Sequence, residues 1–143
     1  MSVYVVDASV ALKWYVPEVH SEDALRLLEP GNELHVPDLF HAEAGNILWK
    51  KSTRGELTPV EARRIARALL AAPLTVHATA DLLEGALDIA TRTARTVYDA
   101  LYVTLAVAMG VALVTADRRL VNAMGRTAFG RHLLWVEEVP KAG

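Results

Sequence analysis

The chain opens on a short apolar, mostly β-branched run, VYVV at residues 3–6, the pattern of a strand buried on both faces. ASVALKWYV follows at once and stops at Pro17, so the first unit reads strand, acid, helix. Ser21 with Glu22 and Asp23 marks a helix start, because an oxygen cap and an acidic first turn both suit exposed N–H groups; that helix ends near Pro30-Gly31. A second strand is expected at residues 34–36, then a helix over 38–54 closed by Gly55. Thr58-Pro59-Val60-Glu61 is a capping box with proline at the first helical position, and its helix runs to about Ala72 before Pro73. LTVH gives a third strand, and Thr79 opens the next helix. Thr96 opens another that ends at Gly110, and VALVT, DRRLVNAM and LLWVE supply strand, helix and last strand. Strands alternating with helices predict an α/β fold: a three-layer, doubly wound, mostly parallel sheet with helices on both faces. No linker or repeat divides the chain, so residues 1–143 are expected to form a single domain.

Composition narrows the classes. Hydrophobic residues are 52% and charged residues 22%, which is globular rather than disordered. Cysteine is absent, removing disulfides and thiolate zinc sites and agreeing with an expected cytoplasmic location. A net charge of -2 means that nucleic-acid binding would rest on local basic patches, not on the overall field. The N-terminus carries no basic leader, and the uncharged stretch 100–116 is short for a membrane span and split by Gly110, so it reads as core.

In doubly wound sheets ligands sit beyond the carboxyl ends of the strands, where strand order reverses. Asp7 directly follows the first strand, and Asp117 follows VALVT by one residue. Each also suits the N-cap of the helix after it. Two acids ending two apolar strands face one rim, which favours a site. Glu43 falls inside the apolar arc of Leu39, Phe40, Ile47 and Leu48 on its helical wheel. An inward carboxylate needs a counter-charge or a metal; the alternative is a salt bridge to Lys50 or Lys51, both beyond i+4 reach. Asn46, one turn on, is a candidate to orient Glu43 or a polar residue of the helix edge. Asp99 is the only charge in its helix, and a Thr96–Asp99 capping box explains it on local grounds.

Four inward carboxylates would repel one another unless a cation sat among them. Oxygen ligands without cysteine or clustered histidine suit Mg²⁺ or Mn²⁺. Such an ion lowers the pKa of a bound water and polarises a phosphoryl oxygen, the chemistry of phosphodiester hydrolysis.

VYVVDASV, the glutamate of VPDLFHAEAGNIL, the aspartate of TVYDALYVTLA, and LVTAD resemble, in order and spacing, the motifs of PIN-domain nucleases, above all VapC toxins of toxin–antitoxin pairs. The resemblance spans nearly the whole chain. It implies that Asp7, Glu43, Asp99 and Asp117 are the catalytic, metal-binding acids, with Ser9 and Thr115 supporting the first and last. It further implies a Mg²⁺- or Mn²⁺-dependent endoribonuclease acting on RNA, a homodimer, and a VapB-type antitoxin as partner.

Lys13, Arg118 and Arg119 are the preferred candidates for RNA phosphates, because they follow motif acids. Trp14, Tyr15, Tyr98 and Tyr102 can stack on bases, though packing explains each. The five histidines show no ligand spacing. Two other functions compete: an RNA-processing nuclease of the same fold without an antitoxin, and a receiver-like signalling domain. The latter needs an aspartate after the third strand, where this chain has LTVHA.

Overall fold

A parallel five-stranded sheet in the order β3-β2-β1-β4-β5 organises the molecule; the computed structural model describes residues 2–141. The strands are β1 (Ser2–Val6), β2 (Asn32–Pro37), β3 (Leu74–His77), β4 (Ala112–Thr115) and β5 (Leu133–Trp135). Every pairing is parallel, with Val5 beside both His35 and Leu113. The chain steps outward through β2 and β3, then crosses back to place β4 on the far side of β1. The reversal therefore lies between β1 and β4. A receiver-type sheet runs 2-1-3-4-5, so the signalling alternative is overturned by strand order, and by His77 standing at the end of β3.

Parallel pairing requires crossovers, and the change of direction after β3 puts the later helices on the opposite face. Helices α1 (Ala8–Leu12), α2 (Ser21–Leu25), α3 (Leu39–Thr53) and α4 (Pro59–Ala71) cover one face, over Tyr4, Val6, Leu34, Val36 and Val114. Helices α5 (Thr79–Thr93), α6 (Val97–Met109) and α7 (Arg118–Met124) cover the other, over Val5 and Leu113. The period-two alternation of each strand thus feeds two separate cores.

Local starts hold in some places and differ in others. Thr58 and Glu61 form both halves of the capping box. Ser21 does not cap α2: His20 holds that position with a left-handed φ of 68°. The Ser21 hydroxyl instead donates to Val16 O and accepts from Glu18 N, pinning the preceding loop. Thr79 opens α5 as its first residue, and its amide donates to Asp38 Oδ1. Among the described residues no helix is long and apolar enough to cross a membrane.

Candidate functional site

Asp7 ends β1 and caps α1: its Oδ1 accepts from Val10 N at 2.9 Å and from the Ser9 hydroxyl at 2.7 Å. Cap and site roles coexist there. Burial pushes the Asp7 carboxyl above its ordinary value, and Asp117 adds to this, while Val10 N, Ser9 and Thr115 oppose it. Asp117 repeats the arrangement after β4. Its Oδ1 caps α7 through Arg119 N and Leu120 N, and its own amide donates to the fully buried Thr115 hydroxyl at 3.0 Å. One carboxylate oxygen of Asp117 is taken by the helix, and Oδ2 remains for the cleft.

Glu43 stands on α3 beside the stripe of Phe40, Ala44 and Leu48 that packs into the core. It lines one cleft together with Asp7, Ser9, Ile47, Asp99 and Asp117. Lys51, one of the two lysines weighed as its counter-charge, is committed to Glu18 at 3.1 Å. Glu43 Oε1 is buried with no hydrogen-bond partner. Desolvation, reinforced by Asp7 and Asp99 and opposed by the Tyr102 hydroxyl, raises its pKa to about 7.

Asp99 lies in the first turn of α6, where the Thr96 hydroxyl accepts its amide at 3.1 Å. Only this half of the expected capping box forms. The carboxylate turns instead to Arg95, whose Nε and Nη2 donate to Asp99 Oδ2 at 3.2 and 2.8 Å. The same Nη2 lies 3.8 Å from Asp117 Oδ2. A guanidinium thus spans two cleft acids that come from different elements.

Two residues have roles beside the acids that the sequence did not assign to them: Tyr102, read only as a ring for packing or stacking, and Arg95, read only as a surface basic residue. Tyr102 is 3% exposed, lines the cleft, and has an unpartnered hydroxyl. Burial and the neighbouring Glu43 and Asp7 carboxylates push its pKa far up, so it stays a neutral donor. Its signal was an i+3 spacing from Asp99. Arg95 was one basic residue among many; its place before a helix start carries no motif.

Other candidates sit elsewhere. Asn46 is exposed, outside the cleft lining, with no hydrogen bond to Glu43. Lys13 bridges to Glu18 at 3.1 Å, and Arg118 stacks over the Trp135 ring at 3.9 Å, while Arg119 is exposed. His20, Asp23 and Glu137 bring ligand atoms within 4.8 Å of one another, a grouping no spacing revealed because Glu137 is remote in sequence. No such grouping within that distance is found for the cleft acids among the described residues. The histidine trio is satisfied within the protein, however. Asp23 pairs with Arg26 at 3.0 Å and Glu137 accepts from Trp135 Nε1 at 2.9 Å. It reads as a clasp tying α2 to the C-terminal turn.

The cleft donor set fits a hard divalent cation: oxygen atoms only, on separate elements, with one of them, Glu43 Oε1, buried and unpaired. What surrounds it also fits, since Ser9 and Thr115 hold the backbone and carboxylate geometry of the two strand-end acids.

Comparison with known proteins identifies the family and the fold. The family model of the PIN domain matches residues 4–125. Ribonuclease VapC3 of Pyrobaculum aerophilum is 43% identical over 120 residues, covering 82% of this chain and 92% of that protein. Ribonuclease VapC9 of Mycobacterium tuberculosis is 35% identical over 116 residues, covering 81% and 87%. Among solved structures, PAE2754 from Pyrobaculum aerophilum matches with a TM-score of 0.72 and 29% identity, over 95% of this chain and 85% of that one. A toxin–antitoxin complex from Klebsiella pneumoniae matches with a TM-score of 0.64 at 11% identity, over 97% and 99% of the two chains, a likeness of fold.

Proposed function

The chain belongs to the PIN domain family, and from that premise we propose that it is a divalent-metal-dependent endoribonuclease of the VapC type, neutralised by a VapB-type antitoxin. The observation that carries this reading is the convergence of Asp7, Glu43, Asp99 and Asp117 on one cleft at the sheet's reversal, with Glu43 Oε1 unpaired. The ribonuclease relatives support the reaction, and the structural likeness to a toxin–antitoxin complex supports the kind of partner.

Asp7, Glu43, Asp99 and Asp117 are the residues that would hold Mg²⁺ or Mn²⁺. A bound ion would lower the pKa of a coordinated water and polarise the scissile phosphoryl group. The chain's own work is positioning. Ser9 and Val10 N fix the Asp7 carboxylate, and Thr115 fixes the turn that carries Asp117. Helix α3 presents Glu43 from across the cleft, against Tyr102. Burial and the neighbouring carboxylates raise the affinity of Glu43 for a proton, and a bound cation would favour its ionised form.

An apolar groove between α3 and α4, lined by Ala44, Gly45, Leu48, Trp49 and Ala66, supports a protein partner, with Trp49 60% exposed. Leu83 and Leu87 are exposed on one face of α5 and support self-association as a homodimer.

Cleavage of a labelled RNA with Mg²⁺, with EDTA, and with Asp7→Asn tests the reaction. Activity that survives both EDTA and the substitution would place it outside this cleft. Co-purification with the product of the adjoining gene, and loss of cleavage in that complex, tests the antitoxin.

A further inference from the structure

Arg95 sits outside regular helix, between α5 and α6, yet its guanidinium reaches two of the acids that line the cleft. An ordinary i,i+4 ion pair on a surface contributes little, and the Arg95–Asp99 pair alone would be one. This pair differs in joining a second carboxylate: Nη2 is 2.8 Å from Asp99 Oδ2 and 3.8 Å from Asp117 Oδ2. Asp117 Oδ1 is committed to the α7 amides, so Oδ2, the oxygen nearest Arg95, is the one the helix leaves free. Positive charge is therefore already placed on oxygens that would otherwise serve a metal ion. The Arg95 side chain keeps 23% of its surface exposed, so a route out to solvent exists without unfolding of α6.

We propose that Arg95 is a built-in competitor for the divalent cation: it bridges Asp99 and Asp117 in the metal-free protein and yields them when the ion binds. The proposal rests on the reading of this cleft as a metal centre. Its consequence is regulatory. Arg95 offsets the repulsion between Asp99 and Asp117 while the site is empty of metal, and raises the divalent-ion concentration needed to load it. A structural role for Arg95, in which it merely orients Asp99 as a ligand, predicts the opposite sign.

Calorimetric titration of Mn²⁺ into the metal-free wild type, Arg95→Gln and Arg95→Lys separates these. Loss of the competing charge should tighten Mn²⁺ binding to Arg95→Gln by roughly three- to tenfold, with Arg95→Lys staying near the wild type. The rise in Tm on adding Mn²⁺ should also be larger for Arg95→Gln, because its metal-free form has lost the bridge. Equal or weaker Mn²⁺ binding by Arg95→Gln, with binding by the wild type intact, overturns the competitor role and leaves the metal centre standing. Absence of Mn²⁺ binding in all three proteins overturns the metal-centre reading, and this proposal with it.

Discussion

Glu43 Oε1 and the Tyr102 hydroxyl are neighbours in the cleft, both buried and both without a hydrogen bond of ordinary geometry. They are coupled electrically all the same: the hydroxyl favours the charged carboxylate, and the carboxylate holds the phenol neutral. Two orphaned polar groups side by side cost stability. In a folded core such a pair would be poorly placed. The cation proposed for this cleft would give Glu43 Oε1 the partner it lacks.

The Glu43 carboxyl makes metal-free stability depend on pH. Its folded pKa, about 7, lies above the ordinary value of 4.5, so the folded state binds the proton more tightly than the unfolded chain. The associated stability is fully present below the unfolded value and is lost as pH rises through the folded one. After discounting for partial solvent exposure, the penalty at about pH 8 is about 1–2 kcal/mol. Glu43→Gln should therefore raise the metal-free Tm by several degrees at about pH 8 and leave it nearly unchanged at about pH 4. Differential scanning calorimetry in EDTA at both pH values checks this, and an equal gain at both would point to packing instead.

Tyr102→Phe removes the hydroxyl and keeps the ring. The hydroxyl lowers the Glu43 pKa, so the substitution should move the acid limb of the pH–rate profile to higher pH. Metal-free stability should hold or rise by up to about 1 kcal/mol, because an unpartnered buried donor is gone. A profile that does not move would detach Tyr102 from the chemistry.

Ser9→Ala leaves Asp7 with Val10 N as its remaining Oδ1 donor. Loss of such an orienting contact commonly costs 10–100-fold in metal affinity or activity, so Ser9→Ala should fall in roughly that range. Isothermal titration with Mn²⁺, run beside the RNA cleavage rate, distinguishes a loss of loading from a loss of turnover.

The strand and helix sequence was readable because the strands are short apolar runs and the helices carry their own stops, such as Gly55 and Gly110 in the left-handed region. Strand order was not, since neighbours are chosen by packing across the sheet. Glu43 was legible as a carboxylate on an apolar arc, and Asp7 and Asp117 as acids at strand ends. The partners of those acids were less so. Arg95 lies four residues before Asp99 and far from the other motif acids in sequence, and its reach to Asp117 exists only after β4 is seated beside β1. Ser21 shows the converse failure: a good cap residue drawn away by the nearer demands of its loop.

Asp99 carries two explanations, and one pair of substitutions separates them. The cap of α6 runs from the Thr96 hydroxyl to the Asp99 amide, a bond that does not involve the Asp99 carboxylate. Thr96→Ala should thus cost about 1 kcal/mol of stability while Mn²⁺ binding persists. Asp99→Asn keeps that amide and its cap, but removes the charge that Arg95 and a cation would share. It should abolish cleavage and weaken Mn²⁺ binding, with a Tm change smaller than that of Thr96→Ala, since a partly exposed ion pair contributes little. Thermal melts and Mn²⁺ titrations of both variants decide between the roles. Were Asp99→Asn to melt early and still cleave RNA, the carboxylate would belong to the helix and not to the site.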